Sequence, residues 1–167
     1  MNVATIRMLF DYNYWAHGRV WDCVMQLSEA KFTQPLTYSV GSIHAQMVHT
    51  MSAEHIWFSR IRGESPRAMF TPADYPTREA IRAKWDEIEH QVCNYLEALR
   101  DDMLLGGTIQ YQKTDGALEE ESLIGVLLHL VNHGTDHRAQ VLAMIDRIDG
   151  PKTVAQDMVA YLREKTA

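Results

Sequence analysis

The sequence predicts an all-α protein, a four-helix bundle with one long crossover connection and a short C-terminal helix. Apolar residues recur at steps of three and four along four long segments, which is the period of one helix face. Four of the five prolines fall between those segments and the fifth follows the last one, and no internal repeat or low-complexity tract appears. A chain of 167 residues with 46% hydrophobic content is long enough for one core, so we expect a single domain over residues 1–167.

The first two helices are predicted over residues 3–28 and 39–62. Ile6, Phe10 and Val20 lie at helical spacing in the first segment. The second segment has a comparable apolar pattern and meets a stop signal just beyond its last residue, a glycine followed by a proline. Both segments therefore predict long amphipathic helices that contribute one face each to the core.

An irregular connection should separate the second helix from the third. Residues 63–77 contain three prolines, and Thr77 is suited to cap a helix that we predict over residues 78–100. Ile81 and Trp85 begin the apolar stripe of that helix. The third long element is thus predicted from both a start signal and a periodic face.

A crossover precedes the fourth helix. In residues 106–116, Ile109 and Tyr111 alternate with polar residues between glycines, which favours a short extended segment. The fourth helix is predicted over residues 119–148, because the three glutamates at its start suit a helix N-terminus. A shorter helix over residues 153–165 follows.

Composition excludes several classes of partner. The net charge of −6 offers no basic field for a phosphate backbone, so we expect no nucleic-acid partner. No apolar run reaches the length of a membrane span and no signal peptide is evident, so we expect a cytoplasmic protein without a membrane partner. Cys23 and Cys93 lie in separate segments, and we expect them to be small buried apolar residues rather than a disulfide or a zinc site.

Histidines supply the strongest chemical signal. The chain has eight of them, and His129, His133 and His137 follow one another at spacings of four on the fourth predicted helix. Side chains four apart lie on one helix face, so two of these imidazoles can bind a single metal ion. Three in a row drift around the helix, and usually two bind while the third packs nearby.

A further ligand must come from another helix. The second predicted helix offers His44, His49 and His55, which point in different directions, and their spacing does not choose among them. Imidazole donors suit zinc, nickel, copper or iron, and three neutral nitrogens leave a coordination position for water or substrate. Gln140 lies on nearly the same face and could hydrogen-bond such a water. The alternative for any of these histidines is a solvent-exposed or hydrogen-bonded structural role.

Three blocks of sequence carry a family resemblance: YNYWAHGRVWD, HTMSAEHIWFSRIRGE and HLVNHGTDHRAQV. In these blocks the chain resembles the DinB/YfiT-like family of four-helix bundles, which are often dimeric and bind nickel or zinc through three histidines. The family's second-helix ligand lies five residues before the Glu of an E-x-x-W segment. Glu54 and Trp57 supply that segment, so the resemblance implies His49 as a ligand. The Asn-His and His-Arg pairs imply His133 and His137.

The resemblance also implies a function. From the three-histidine site we expect one divalent ion per chain, nickel or zinc. Members of the wider superfamily whose function is understood act on thiols, so the resemblance implies a metal-dependent enzyme of the thiol S-transferase or hydrolase type. Its substrate would be a small electrophilic molecule, with a low-molecular-weight thiol as a candidate co-substrate, and the chain would form a homodimer. The alternative is a non-enzymatic, stress-inducible metal-binding protein. Glu54 and Arg138, each close to an implied ligand, are expected to form an ion pair between two helices.

Overall fold

The computed structural model describes residues 1–113 and 115–166 as an all-α bundle with one small β-hairpin. The predicted fold class is therefore confirmed, whereas Thr114 of the crossover and the terminal Ala167 lie outside the described residues. The elements, in order, are α1 (Val3–Met25), α2 (Glu29–Thr33), α3 (Ile43–Ile61), α4 (Arg78–Ala98), α5 (Asp101–Gly106), β1 (Thr108–Gln112), β2 (Leu118–Ser122), α6 (Leu123–Arg147) and α7 (Met158–Thr166).

The four long helices form the bundle. Helix α1 contacts α4 and α6, and α3 contacts the same two helices. Their apolar faces meet in the core, where Phe10, Met51, Ile88 and Leu127 are each at most 2% exposed. This arrangement places α3 directly beside α6, so that the two histidine-bearing helices are neighbours.

The fourth long helix begins later than predicted. The three glutamates assigned to its first turn lie in β2, which pairs with β1 in antiparallel register, Tyr111 opposite Glu119. Ser122 then caps α6, since its Oγ accepts a hydrogen bond from the backbone three residues on. The predicted helix start at residue 119 is wrong, because pairing with β1 holds the segment extended. The extended crossover is confirmed in β1.

Capping serines also set other boundaries that periodicity misses. Helix α1 ends at Met25, and Ser28 caps the short α2 that follows. Helix α3 begins only after its cap, Ser42. The C-terminal helix begins at Met158, later than predicted. Thr77 caps α4 as predicted. Neither α2 nor α5 is long enough to produce a periodic apolar pattern.

Two expectations drawn from composition have structural counterparts. Cys23 is buried and Cys93 half-buried, and both are free thiols, so the buried apolar role is confirmed fully for Cys23 and in part for Cys93. In the described part of the chain, no helix combines the length and the apolar character that crossing a membrane requires.

Candidate metal centre

Three histidines from two helices converge in the bundle. His49 lies on α3, and His133 and His137 lie one turn apart on α6. One ring nitrogen of each can be chosen so that all three nitrogens lie within 4.8 Å of one another. The Nε2 atoms of His133 and His137 are 2.9 Å apart. Over residues 1–113 and 115–166, this is the one group of three or more metal-ligating side chains with such spacing.

The donor set fits a divalent ion that prefers nitrogen ligands. Two nitrogens bound tetrahedrally to zinc lie about 3.3 Å apart, a value between the 2.9 Å and 4.8 Å limits found here. Small side-chain rotations would therefore bring the three nitrogens to the spacing of a tetrahedral zinc site. Without an ion, a proton on one Nε2 must bridge to the other, and a cation can replace that proton. The group supplies three ligands, so a tetrahedral ion held by them would have one further position for water or substrate.

Burial and neighbouring charges favour the neutral form of two of the candidate ligands. Burial, together with the neighbouring imidazoles of His137, His129 and His49, lowers the pKa of His133 to about 4. Burial, followed by the charge of His137, also lowers the pKa of His49. Both rings are consequently neutral near physiological pH, which is the form that binds metal.

The other candidate histidines have separate contacts. His44 Nε2 lies 2.8 Å from the backbone oxygen of Tyr75, and His55 stacks on Phe70 with ring centroids 4.8 Å apart. His129 is exposed and packs edge-on against a tryptophan of α3. The packing of α3 on α6 thus brings His49, rather than His44 or His55, into the group of donors.

A buried polar network lies behind His133, and it corrects one expectation. Glu54 and Arg138 are both buried but do not form the expected ion pair. Glu54 accepts hydrogen bonds from the Tyr14 hydroxyl at 2.6 Å and from Trp85 Nε1 at 2.8 Å. Arg138 donates to Asn13 Oδ1 at 2.5 Å. Neutral partners satisfy both groups, and burial raises the pKa of Glu54.

A small cavity joins this network to the cluster. It occupies about 20 Å³, enough for one water molecule. His133 lines one side, and His17 from α1 lines another with its Nε2 buried and without a partner among the described residues. Burial lowers the pKa of His17 well below its ordinary value, so this ring is neutral. Sequence reasoning missed the network, although the polar Asn13 and Tyr14 within an apolar helix face were a signal for it.

The role expected for Gln140 also changes. Its Oε1 lies 3.2 Å from His137 Nδ1, the ring nitrogen on the side away from His133, and its Nε2 donates to Asp136 Oδ2 at 3.1 Å. Gln140 therefore contacts the ring of a candidate ligand on the side away from His133, rather than a position beside a metal-bound water. A second glutamine, Gln46 on α3, reaches the same Nδ1, and the sequence pattern did not predict it.

Fold and site together define a helical-bundle protein with a three-histidine cluster able to hold a metal ion. The chain belongs to the DinB family, whose model matches residues 1–166. It is similar to Protein DinB from Bacillus subtilis (strain 168), with 23% identity over 158 residues, which cover 92% of this chain and 91% of that relative. The resemblance identified from three sequence blocks is thereby confirmed.

Proposed function

We propose that this chain binds one divalent metal ion, zinc or nickel, through His49, His133 and His137, and that it is a metal-dependent enzyme of the thiol S-transferase or hydrolase type. The observation that carries the proposal is the convergence of three imidazoles from α3 and α6, with donor atoms within 4.8 Å and no carboxylate in the group. Three neutral nitrogen donors with an open position are typical of catalytic rather than structural sites.

The chemistry follows from the donor set. When bound, such an ion makes a coordinated water or thiol more acidic and can polarise an electrophilic substrate. The protein's own residues supply a neutral, half-buried setting, since burial keeps His133 and His49 uncharged. Behind His133, Glu54 and His17 line a cavity with room for one water. These features support chemistry on a small molecule bound at the cluster.

The remaining parts of the proposal concern location and assembly. A cytoplasmic homodimer acting on a small electrophile, with a low-molecular-weight thiol as co-substrate, agrees with the acidic composition and with the family resemblance. Size-exclusion chromatography with light scattering tests the dimer directly. A monomer at micromolar concentration would refute the proposed homodimer and leave the proposed metal site unaffected.

Metal content is the decisive test. Protein purified without an affinity tag is analysed by plasma mass spectrometry, as wild type and as His49→Ala, His133→Ala and His137→Ala. His90→Ala is the matched control, because His90 is exposed on α4 and contacts Asn94 instead of the cluster. We expect about one ion per chain in wild type and control and a large loss in each ligand variant. A wild type that neither carries nor accepts zinc or nickel refutes the proposal.

Enzymatic activity is tested separately on the metal-loaded protein. A low-molecular-weight thiol and a chromogenic electrophile are incubated with wild type and His133→Ala, and thiol consumption is followed; an activated ester tests hydrolysis. Turnover that requires His133 supports the enzyme. Stoichiometric metal binding without turnover of either substrate class favours the non-enzymatic, stress-inducible alternative.

A further inference from the structure

A chain of hydrogen bonds leads from the surface to one of the candidate ligands. Ser39, between α2 and α3, has its Oγ 2.6 Å from the side-chain amide of Gln46 and 2.6 Å from Oε1 of Gln140. The other atom of the Gln46 amide lies 2.5 Å from His137 Nδ1. Gln140 Nε2 donates to Asp136 Oδ2. This series of hydrogen bonds therefore connects the ring of His137, a candidate ligand, with the exposed carboxylate of Asp136.

Counting protons fixes the orientation of the Gln46 amide. A serine hydroxyl has one proton, so it cannot donate to an oxygen of Gln46 and to an oxygen of Gln140 at the same time. Turning the Gln140 amide would direct its oxygen at the Asp136 carboxylate. Turning the Gln46 amide resolves the conflict, since its Nε2 donates to Ser39 and Ser39 donates to Gln140. Gln46 Oε1 then faces His137.

An amide oxygen so close to Nδ1 requires a proton on that nitrogen. Gln140 Oε1, at 3.2 Å from the same Nδ1, requires the same proton. Nε2 of His137 then keeps its lone pair, and it lies 2.9 Å from His133 Nε2 inside the cluster. We infer that Gln46 is a positioning residue, whose carbonyl oxygen holds His137 in the tautomer that presents Nε2 to a metal ion. The inference rests on the proposed metal site.

The surroundings of Gln46 reinforce this role. Its side chain is completely buried, so its amide is shielded from competing water, whereas Gln140, the second partner of Nδ1, is half-buried and farther away. It lies one turn before His49, so α3 supplies both a candidate ligand and the support for a ligand on α6. Ser39 has a φ of 49°, in the left-handed region that non-glycine residues seldom adopt. In that backbone conformation, the Ser39 hydroxyl lies between the amides of Gln46 and Gln140.

The first experiment compares zinc affinity by competition with a chromophoric chelator. Gln46→Met keeps the approximate volume but removes the acceptor, and Gln46→Glu keeps an acceptor oxygen. Gln91→Met on α4, whose amide contacts Arg62 and Glu87, is the matched control. We expect Gln46→Met to lose about 10- to 100-fold in affinity, and the other two variants to bind like wild type. Gln46→Met within twofold of wild type, or Gln46→Glu as impaired as Gln46→Met, overturns the inference.

The second experiment needs neither metal nor mutation at Gln46. Long-range proton–nitrogen NMR of histidine-labelled, metal-free wild type, assigned with His137→Ala, reports which ring nitrogen is protonated when His137 is neutral. A proton on Nδ1 supports the inference, and a proton on Nε2 overturns it. Zinc binding that is absent in wild type, or unchanged in His137→Ala, refutes the proposed function instead, and the tautomer then decides the role of Gln46 by itself.

Discussion

Replacing Glu54 by alanine should strongly destabilise the bundle without exposing any charge. The carboxylate connects three helices, because it is on α3 and accepts hydrogen bonds from Tyr14 on α1 and Trp85 on α4. The Trp85 indole can only donate and its residue is 3% exposed, so bulk solvent does not reach the position of the lost acceptor. The Tyr14 hydroxyl loses its partner as well.

The magnitude follows from these two donors. A buried donor without an acceptor costs about 1–3 kcal/mol, so the truncation should lower the free energy of unfolding by roughly 2–6 kcal/mol. For a chain of this size, that corresponds to a fall in Tm of about 5–20 °C. Glu54→Gln should cost only about 1 kcal/mol, because its Oε1 accepts from Trp85 and its Nε2 can donate to the Tyr14 oxygen.

Urea unfolding followed by circular dichroism at neutral pH, with a chelator present, measures the effect apart from any metal. Glu97→Ala is the control, since Glu97 is exposed on α4 and should change stability by no more than about 0.5 kcal/mol. A Glu54→Ala variant as stable as this control would refute the reasoning. Equal losses in Glu54→Ala and Glu54→Gln would show that the carboxylate charge matters rather than the accepted hydrogen bonds, because Gln keeps the volume of Glu.

Four further outcomes are expected. Burial raises the folded-state pKa of Glu54 above its ordinary value of 4.5. The stabilising contribution of Glu54 is therefore complete below pH 4.5 and is lost as the pH rises through the folded-state pKa. In unfolding measurements over a range of pH, the free energy of unfolding of Glu54→Gln should rise relative to that of wild type as the pH increases above 4.5. Gly134→Ala would place a Cβ 2.5 Å from Asn13 Oδ1 and 2.9 Å from Arg138 Nη1, and should cost about 1–3 kcal/mol in denaturant unfolding. Zinc at one hundred times its Kd should stabilise wild type by about 2.7 kcal/mol and leave the Tm of His133→Ala unchanged. Ser122→Ala removes the cap of α6 and should cost about 1 kcal/mol, measured the same way.

The sequence predicted the long helices well because each carries an apolar face at helical period, and burial of that face is what stabilises it. It failed where a partner elsewhere in the chain decides the local structure. The segment before Ser122 is acidic and could begin a helix, but pairing with β1 makes it a strand. Likewise Ser28 and Ser42 start helices through single hydrogen bonds that no periodic pattern records.

The candidate site also has a part that the sequence predicts and a part that depends on packing between helices. A spacing of four on one helix places His133 and His137 together, and this follows from helix geometry alone. The choice of His49 needed the family resemblance, because the face that α3 turns toward α6 depends on packing. The expected Glu54–Arg138 pair fails for a related reason, since α1 and α4 supply neutral partners that sequence distance conceals.

In the proposed metal site, the division of the histidines between α3 and α6 would link ion affinity to the docking of those two helices. An isolated α6 would keep two of the three donors and lose the chelating contribution of His49. Folding and ion binding would then form one coupled equilibrium, in which an incompletely assembled chain releases its ion first. A mutation that loosens α3 from α6 would lower metal occupancy without touching a ligand, so the occupancy of the site becomes a reporter of tertiary assembly.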